Sequence, residues 1–180
     1  MDEIPLKLYE ILGFSFSYHI LKKNLICVLE NYYSERSIRK IIFNSLCLEY
    51  FQQIDYKSDL KIINKFNFGI EFYSNGISTY IKNIIKSYND CNSIIFKGTD
   101  DEVYHQKIAF LRGCYLRKGE NFNIIFSFFV DQLANFILKL INDVSLNIFQ
   151  YKIIDSNKEG GGCLIRMNNG GELLLKLFNS

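Results

Sequence analysis

Residues 109–119 read Ala-Phe-Leu-Arg-Gly-Cys-Tyr-Leu-Arg-Lys-Gly, and the fold of the whole chain can be inferred outward from this segment. It forms the second part of a predicted helix over 102–118, and Gly119 suits the left-handed conformation that commonly ends a helix. The preceding residues 98–101, Gly-Thr-Asp-Asp, predict a turn that caps the start of the helix.

The spacing of apolar residues predicts further elements on both sides of this helix. We expect helices over residues 15–31, 37–50, the segment after Gly76, 131–144 and 171–178. We expect strands over residues 66–73, 93–97, 122–129, 148–154 and 163–167, with a hairpin turn at 155–162 and a hairpin or short strand within 52–64.

The order helix, strand, helix, strand occurs twice, which predicts an α+β domain built from two related halves. A shift of 56 residues places Phe66 on Phe122 and Ile85 on Ile141 (122 − 66 and 141 − 85). We therefore assign residues 1–180 to a single domain, with a shortened first repeat over 14–98 and a second repeat over 99–180. The first repeat is expected to lack its second hairpin strand and its closing helix.

The segment Ala109 to Gly113 resembles the signature helix of the LAGLIDADG homing endonucleases, and more closely that of the degenerate LAGLIDADG domain in WhiA-type bacterial regulators. The resemblance covers residues 14–180. It implies a LAGLIDADG-like α+β fold with two αβ repeats about a pseudo-twofold axis. It also implies that small residues, here Ser45 and Gly113, lie where the two signature helices cross.

In active nucleases of this fold, each signature helix ends in an acidic residue that holds a divalent metal at the scissile phosphate. The corresponding positions here hold Tyr50 and Lys118, and WhiA proteins likewise lack these acids. The resemblance therefore implies no enzyme activity, no catalytic residue and no metal or other cofactor. A nuclease that uses Glu49 and Glu120 with Mg²⁺ is the less favoured alternative.

The sheet face away from the helices is the DNA-facing surface in the fold that this chain resembles. Basic and amide side chains on strands can contact DNA there, or they can be ordinary solvent-facing residues. Lys118 lies at a helix end, where a cation also complements the helix dipole. The candidate DNA-binding residues are Lys65, Lys118, Gln150, Lys152 and Arg166.

The composition limits which other functions are expected. The 21 basic and 19 acidic residues nearly balance, so a DNA surface would have to arise from local placement of charge. The five cysteines form no CxxC pair, which argues against a disulfide framework or a zinc site. His19 and His105 are expected to cap helices or to face solvent, because neither belongs to a catalytic motif.

No signal peptide and no long apolar stretch is visible in the sequence, so we expect a cytoplasmic protein that does not enter a membrane. We expect a non-catalytic, WhiA-like module that binds double-stranded DNA or regulates transcription, sporulation or cell division. The alternative is a protein–protein interaction domain with no role in nucleic-acid binding.

Overall fold

A computed structural model of the chain describes residues 5–16, 19–22, 25–29, 45–46, 49, 61–66, 69–73, 82–86, 91–118, 126–128, 131–145, 150–156, 162–169, 176 and 178. The helices in this part of the chain are α1 (Leu6–Phe16), α2 (Asp100–Lys118) and α3 (Asp131–Ser145). The strands are β1 (His19–Lys22), β2 (Leu25–Leu29), β3 (Lys61–Phe66), β4 (Gly69–Tyr73), β5 (Phe126–Phe128), β6 (Gln150–Ser156) and β7 (Gly162–Asn169).

The start of α2 is fixed by a capping box. The backbone N–H of Thr99 donates to Glu102 Oε2 at 2.6 Å, and the backbone N–H of Glu102 donates to Thr99 Oγ1 at 3.3 Å. Gly98, with φ of 125°, turns the chain into this cap. The predicted helix and its predicted cap are therefore confirmed, and the helix extends to Lys118.

We expect Thr99→Ala to lower the Tm by about 2–4 °C at neutral pH, because losing an N-cap costs about 1 kcal/mol. Hydrogen bonding of the Glu102 carboxylate by the backbone N–H of Thr99, and to a lesser extent by the Thr99 side chain, lowers the pKa of Glu102 below its ordinary value. A lowered carboxyl pKa stabilises the fold above the unfolded pKa of about 4.3, and this contribution is lost as the pH falls through the folded pKa. Thr99→Ala keeps the backbone N–H that is the main cause of the lowered pKa, so Glu102→Gln is the variant that tests it. Thermal unfolding from pH 7 to pH 3 should show the difference in Tm between Glu102→Gln and wild type shrinking in acid. A difference independent of pH would exclude the Glu102 contribution.

Helices α1 and α2 cross at two glycines. A Cβ on Gly13 would overlap the carbonyl oxygen of Phe110, with the carbonyl carbon at 2.9 Å. A Cβ on Gly113 would overlap the carbonyl oxygen of Glu10, with the backbone nitrogen of Phe14 at 2.8 Å. The contact is reciprocal, and each glycine lies against the residue three positions before the other.

The crossing corrects the expected pairing of Ser45 with Gly113. The atoms that limit space at Gly113 belong to α1, and Ser45 is an exposed residue with helical backbone. Gly13 is therefore the small residue opposite Gly113. The helix that supplies it begins at Leu6, eight positions before the expected start of the first repeat.

The hydrophobic core lies along these helices. Phe110 of α2 packs edge-to-face against Phe96 at 6.4 Å and against Phe136 of α3 at 5.8 Å between ring centroids. Cys114 donates from its thiol to the carbonyl of Gly13 at 3.3 Å. Other buried residues on the three helices are Leu8, Tyr9, Ile11, Leu12, Phe14, Ile108, Ala109, Leu111, Ala134, Ile137, Leu138, Leu140, Ile141 and Val144.

The described strands form two antiparallel sheets. The strand order is β1-β2-β4-β3 in the four-stranded sheet and β5-β7-β6 in the three-stranded sheet. Strands β2, β4 and β3 thus occupy the same places in the first sheet as β5, β7 and β6 in the second. Helix α3 packs against β5 and β7, and α2 packs against β5.

The predicted helix over residues 15–31 is wrong. Strands β1 and β2 pair there in antiparallel register, with Lys22 opposite Leu25. Runs of Ile, Leu and Val fit a buried strand as well as a helix face, so apolar spacing over a short run does not separate the two. His19 is consequently the first residue of a strand and does not cap a helix.

The first half is also more complete than expected. Strand β4 lies within the strand predicted over 66–73, and β3 overlaps the hairpin or short strand predicted within 52–64. The two strands form an antiparallel pair, with a register irregularity between Ile63 and Phe66. Residues 82–84 are helical, and in the predicted strand 93–97 only Ile94 pairs, through an isolated bridge to Ile85. The expected loss of the second hairpin strand is therefore wrong.

The elements predicted for the second half agree more closely with the structure. Helix α3 and strands β6 and β7 lie where the sequence predicts them, and Ser156 pairs with Gly162 around the expected hairpin turn. The described strand β5 lies within the predicted strand 122–129. Gly119 and most of the predicted helices 37–50 and 171–178 lie outside the described residues.

Candidate nucleic-acid interface

The register of the three-stranded sheet separates an apolar face from a polar face. On the largely apolar face, Tyr151 pairs with Met167, and Ile153 pairs with Ile165, which in turn pairs with Phe126. Asp155, opposite Cys163, is the one charged residue at the positions that the register assigns to this face. A sheet with one such face buries it against helices and leaves the other to solvent. The opposite, polar face carries Ser127, Gln150, Lys152, Ser156 and Arg166, together with Ile154 and Leu164.

Three of the candidate DNA-binding residues share this polar face. Lys152 and Arg166 are direct cross-strand partners. Gln150 lies two positions before Lys152 on β6, across a register irregularity between Gln150 and Tyr151, and pairs with Asn169. Directly opposite residues on one face have Cβ atoms about 5 Å apart. The register therefore brings two positive charges together without a carboxylate at any position it assigns to this face.

The four-stranded sheet adds two basic residues that the sequence analysis missed. Lys22, Leu25, Tyr73 and Lys61 form one row across all four strands. The next row, Leu21, Ile26, Phe72 and Ile62, lies on the other face and is entirely apolar. Lys22 and Lys61 therefore lie on the less apolar face of their sheet. The same face carries Glu71 and several apolar residues, namely Ile20, Leu25, Cys27 and Ile63. Ile20, Leu21 and Lys22 do not alternate between apolar and polar residues, so the sequence gives no strand signal that would have placed Lys22 on this face.

The structure does not place Lys65 and Lys118 in a shared row with the other three candidates. Lys65 lies within the irregularity of β3, where the register assigns it no partner. Strand β3 is the edge strand of its sheet, as β6 is of the other. Lys118 is the last residue of α2. The register thus brings Gln150, Lys152 and Arg166 together and assigns no shared row to the other two candidates.

The crossing also fixes which residues stand at the positions that are acidic in active nucleases. Gly13 and Gly113 lie 100 residues apart, as do Glu10 and Phe110 (113 − 13 and 110 − 10). Lys118 follows Gly113 by five residues, so the equivalent first-half position is Tyr18 and not Tyr50.

An ammonium group and a phenol do not suit a divalent metal that prefers carboxylate oxygens. In the part of the chain that the structure describes, no group of three or more His, Cys, Asp or Glu residues could hold a metal ion. The residues at these two positions therefore do not fit the Mg²⁺ site of a nuclease, and no catalytic step through a metal follows from them.

A cluster of charges lies beside the crossing. Glu10 is only 3% exposed, and its carboxylate lies 2.8 Å from Lys7 Nζ and 3.1 Å from Arg112 Nε of α2. The contact with Arg112 lacks hydrogen-bond geometry, so it is an electrostatic pairing. Lys7 also pairs with Glu49, a half-exposed residue with helical backbone. Glu49, the candidate acid of the nuclease alternative, is thus engaged by Lys7.

The segment that leads into α2 is bonded to both crossing helices. Gln106 of α2 donates to the carbonyl of Lys97 at 2.7 Å and accepts from its N–H at 2.9 Å. Tyr9 of α1 donates its hydroxyl to the carbonyl of Ile95 at 3.0 Å and stacks on Phe96. Burial raises the pKa of Tyr9 to about 12, so this hydroxyl stays a donor at physiological pH.

The remaining candidates have structural roles. Cys91 and Cys114 are buried and not joined in a disulfide, as expected of cysteines that pack as small apolar residues. His105 is exposed, and its Nδ1 lies 2.8 Å from the carbonyl oxygen of Asp101. Among the helices that the structure describes, none has the length and apolar character needed to cross a membrane.

Solved structures with the same architecture are found at low sequence identity. The homing endonuclease I-DmoI in complex with DNA and Ca has a TM-score of 0.64 and 15% identity, covering 96% of this chain and 88% of that one. A variant of I-DmoI with its target DNA and Mg has a TM-score of 0.65 and 15% identity, covering 97% of each chain. The N-terminal LAGLIDADG domain of WhiA has a TM-score of 0.54 and 15% identity, covering 99% and 87%. No protein-family model and no curated protein matches the sequence.

Proposed function

We propose that this chain, which adopts a LAGLIDADG-like fold, is a non-catalytic module that binds double-stranded DNA and acts in regulation. The observation that carries the proposal is the placement of Lys152 with Arg166 on the polar face of one sheet, and of Lys22 with Lys61 on the less apolar face of the other. Cations on a solvent-facing sheet can neutralise phosphates along a duplex. The solved complexes of I-DmoI with its target DNA support this choice of ligand.

The proposal treats the molecule as two αβ repeats about a pseudo-twofold axis. The reciprocal contacts of Gly13 and Gly113 support that axis, and so does the shared strand order of β2-β4-β3 and β5-β7-β6. Each repeat then supplies one sheet to a common binding surface. Helices α1 and α2 would set the spacing between the two sheets.

We infer the absence of catalysis from the two residues that follow the crossing glycines by five positions. Tyr18 and Lys118 stand five residues after the crossing glycines, and neither can replace a metal-binding carboxylate. A regulator needs affinity for DNA without cleavage, so this pair favours a regulatory role of the WhiA kind over a nuclease. A role in bacterial transcription and a location in the cytoplasm belong to the same proposal.

The test is binding of the full chain to a mixed pool of duplex DNA, measured by fluorescence anisotropy across a salt series. We expect the logarithm of affinity to fall linearly with the logarithm of salt concentration, with a slope of about −0.9 for each phosphate contacted. Lys152→Ala with Arg166→Ala should make the slope less negative by about 1.8 and weaken binding to all sequences. Lys139→Ala, on the exposed side of α3, is the matched control.

Two outcomes contradict the proposal. No binding at low salt would remove DNA as the ligand and leave a protein partner as the better account. Cleavage of supercoiled DNA in Mg²⁺ or Mn²⁺ would show a nuclease and overturn the proposal. We expect binding without cleavage in either metal.

A further inference from the structure

The crossing of α1 and α2 is symmetric in its backbone contacts. Because Gly13 and Gly113 make the same contact in opposite directions, a twofold rotation relates each residue of α1 to the residue 100 positions later in α2 (113 − 13). A second copy of the chain could therefore offer its own α1 to α1, or its own α2 to α2, with the same approach of the two backbones.

The side chains beside the crossing do not follow this symmetry. Glu10 of α1 pairs with Arg112 of α2, with 3.1 Å between Oε1 and Nε. The residues that correspond to them are Phe110 and Leu12 (110 − 10 and 112 − 12), and both are fully buried. One side of the axis thus carries an ion pair, and the other side carries two apolar side chains.

Contacts with the segment that leads into α2 are asymmetric as well. Tyr9 of α1 and Gln106 of α2 both make hydrogen bonds to the backbone of residues 95–97. The corresponding residues are Ala109 and Leu6 (109 − 9 and 106 − 6), and neither has a side chain that can make a hydrogen bond. Only the pairing of one α1 with one α2 supplies both anchors for this segment.

Pairing of like helices would leave charges without partners. In a pair of α1 helices, the side chain of Glu10, which is 4% exposed, would lie beside Leu12 of the second copy and would keep only Lys7. In a pair of α2 helices, Arg112 would lie beside Phe110 of the second copy. Removing the partner of a buried charge costs more than an intact buried pair contributes to stability.

We infer that the ion pair of Glu10 and Arg112 selects the pairing of α1 with α2 and rejects the pairing of either helix with its counterpart in a second copy. One polar pair in an otherwise apolar helix contact specifies the partner at some cost in stability. Because α1 and α2 belong to one chain, their effective concentration is high and the selected pairing forms within that chain. Each copy then stays a monomer that carries both sheets, whether or not it binds DNA.

The experiment exchanges the residues at the corresponding positions 12 and 112. Leu12→Arg with Arg112→Leu keeps the composition of the chain but places both charges on α1, so that Glu10 of one copy can pair with the new arginine of another. Helix α2 becomes apolar at both positions and matches a second α2. We expect wild type to refold from urea as a monomer and the exchanged variant to refold as a dimer, measured by light scattering after size-exclusion chromatography.

Ile11→Leu with Leu111→Ile is the matched control, because it exchanges two corresponding buried residues without moving a charge. It should refold as a monomer with the circular dichroism spectrum of wild type. A folded exchanged variant that is monomeric would overturn the selection by charge. A wild type or a control that is itself dimeric would also overturn it.

A second variant, Glu10→Met with Arg112→Met, is decisive if the exchanged variant does not fold. Lys7 keeps Glu49 as its partner, and apolar replacement of a whole buried ion pair is often neutral in stability. Without the charges, pairing with a second copy is no longer penalised. The dimer fraction after refolding at high protein concentration should then exceed that of wild type by about tenfold or more, measured by sedimentation velocity. A dimer fraction equal to that of wild type would overturn the role of the ion pair.

Discussion

Replacing either crossing glycine with alanine is expected to destabilise the fold by about 2 kcal/mol, which is the upper end of the cost of overpacking less the gain in helix propensity. The added methyl group would meet backbone atoms of the opposite helix, since the nearest neighbours of Gly113 are the carbonyl of Glu10 and the nitrogen of Phe14. Backbone in a packed helix cannot rotate away as a side chain can, so α1 and α2 would have to separate. Overpacking costs about 1–3 kcal/mol and occasionally more, and the better helix propensity of alanine returns only about 1 kcal/mol.

The double variant distinguishes this mechanism from a local effect. If Gly113→Ala already forces the helices apart, Gly13→Ala added to it should cost less than it does alone, because both glycines serve one contact. Urea unfolding followed by circular dichroism measures all three variants. Asn135→Ala, an exposed change on α3, should have little effect. A Gly113→Ala protein as stable as wild type would show that the helices do not approach closely there.

Leaving Glu10 without its two cationic partners is the second change with a large expected effect. Glu10 is almost fully buried, Lys7 is 12% exposed and Arg112 is 39% exposed. Lys7→Met with Arg112→Met would leave a buried carboxylate unpaired, and breaking a buried pair in this way costs about 3–5 kcal/mol. That loss would be a large share of the 5–15 kcal/mol typical of a folded domain.

A third substitution tests the cause of that loss. Adding Glu10→Met to the double variant removes the unpaired charge, and apolar replacement of a whole buried ion pair is often neutral or stabilising. The triple variant should therefore recover most of the lost free energy of unfolding. Lys107→Met is the matched control, because its partner Asp143 is 34% exposed, and it should cost no more than about 1 kcal/mol. If the triple variant is no more stable than the double, the loss arises from packing and not from charge.

The local structure of the second half was predictable because each element carries its own signal. Thr99 and Glu102 stand at the spacing of a capping box, so the start of α2 can be derived from four consecutive residues. The apolar stripe of α3 repeats with the helical period over 15 residues, long enough to exclude a strand. The hairpin of β6 and β7 is marked by its glycine-rich turn.

The first half was harder to predict because its signals are ambiguous. Helix α1 is apolar on most of its surface, since it is buried at the crossing, and therefore lacks the polar face that marks an amphipathic helix. Strands β1 and β2 together form an apolar run of helical length, interrupted only by Lys and Asn residues. The predicted helix over 15–31 joined these two strands and left α1 without an assignment.

Chain-local chemistry thus set the capped helix α2, the helix α3 and the β6–β7 hairpin, whereas the small residue at Gly113 was expected from the resemblance of its helix to a known family. Tertiary packing alone chose Gly13 as its partner, because two segments 100 residues apart meet only when the core forms. Packing likewise set Lys22 and Lys61 in one row, since strand register depends on pairing between distant segments. The physical reason is the same in both cases: caps and periodicity act over a few residues, whereas a helix crossing and a sheet register are properties of two or more surfaces in contact.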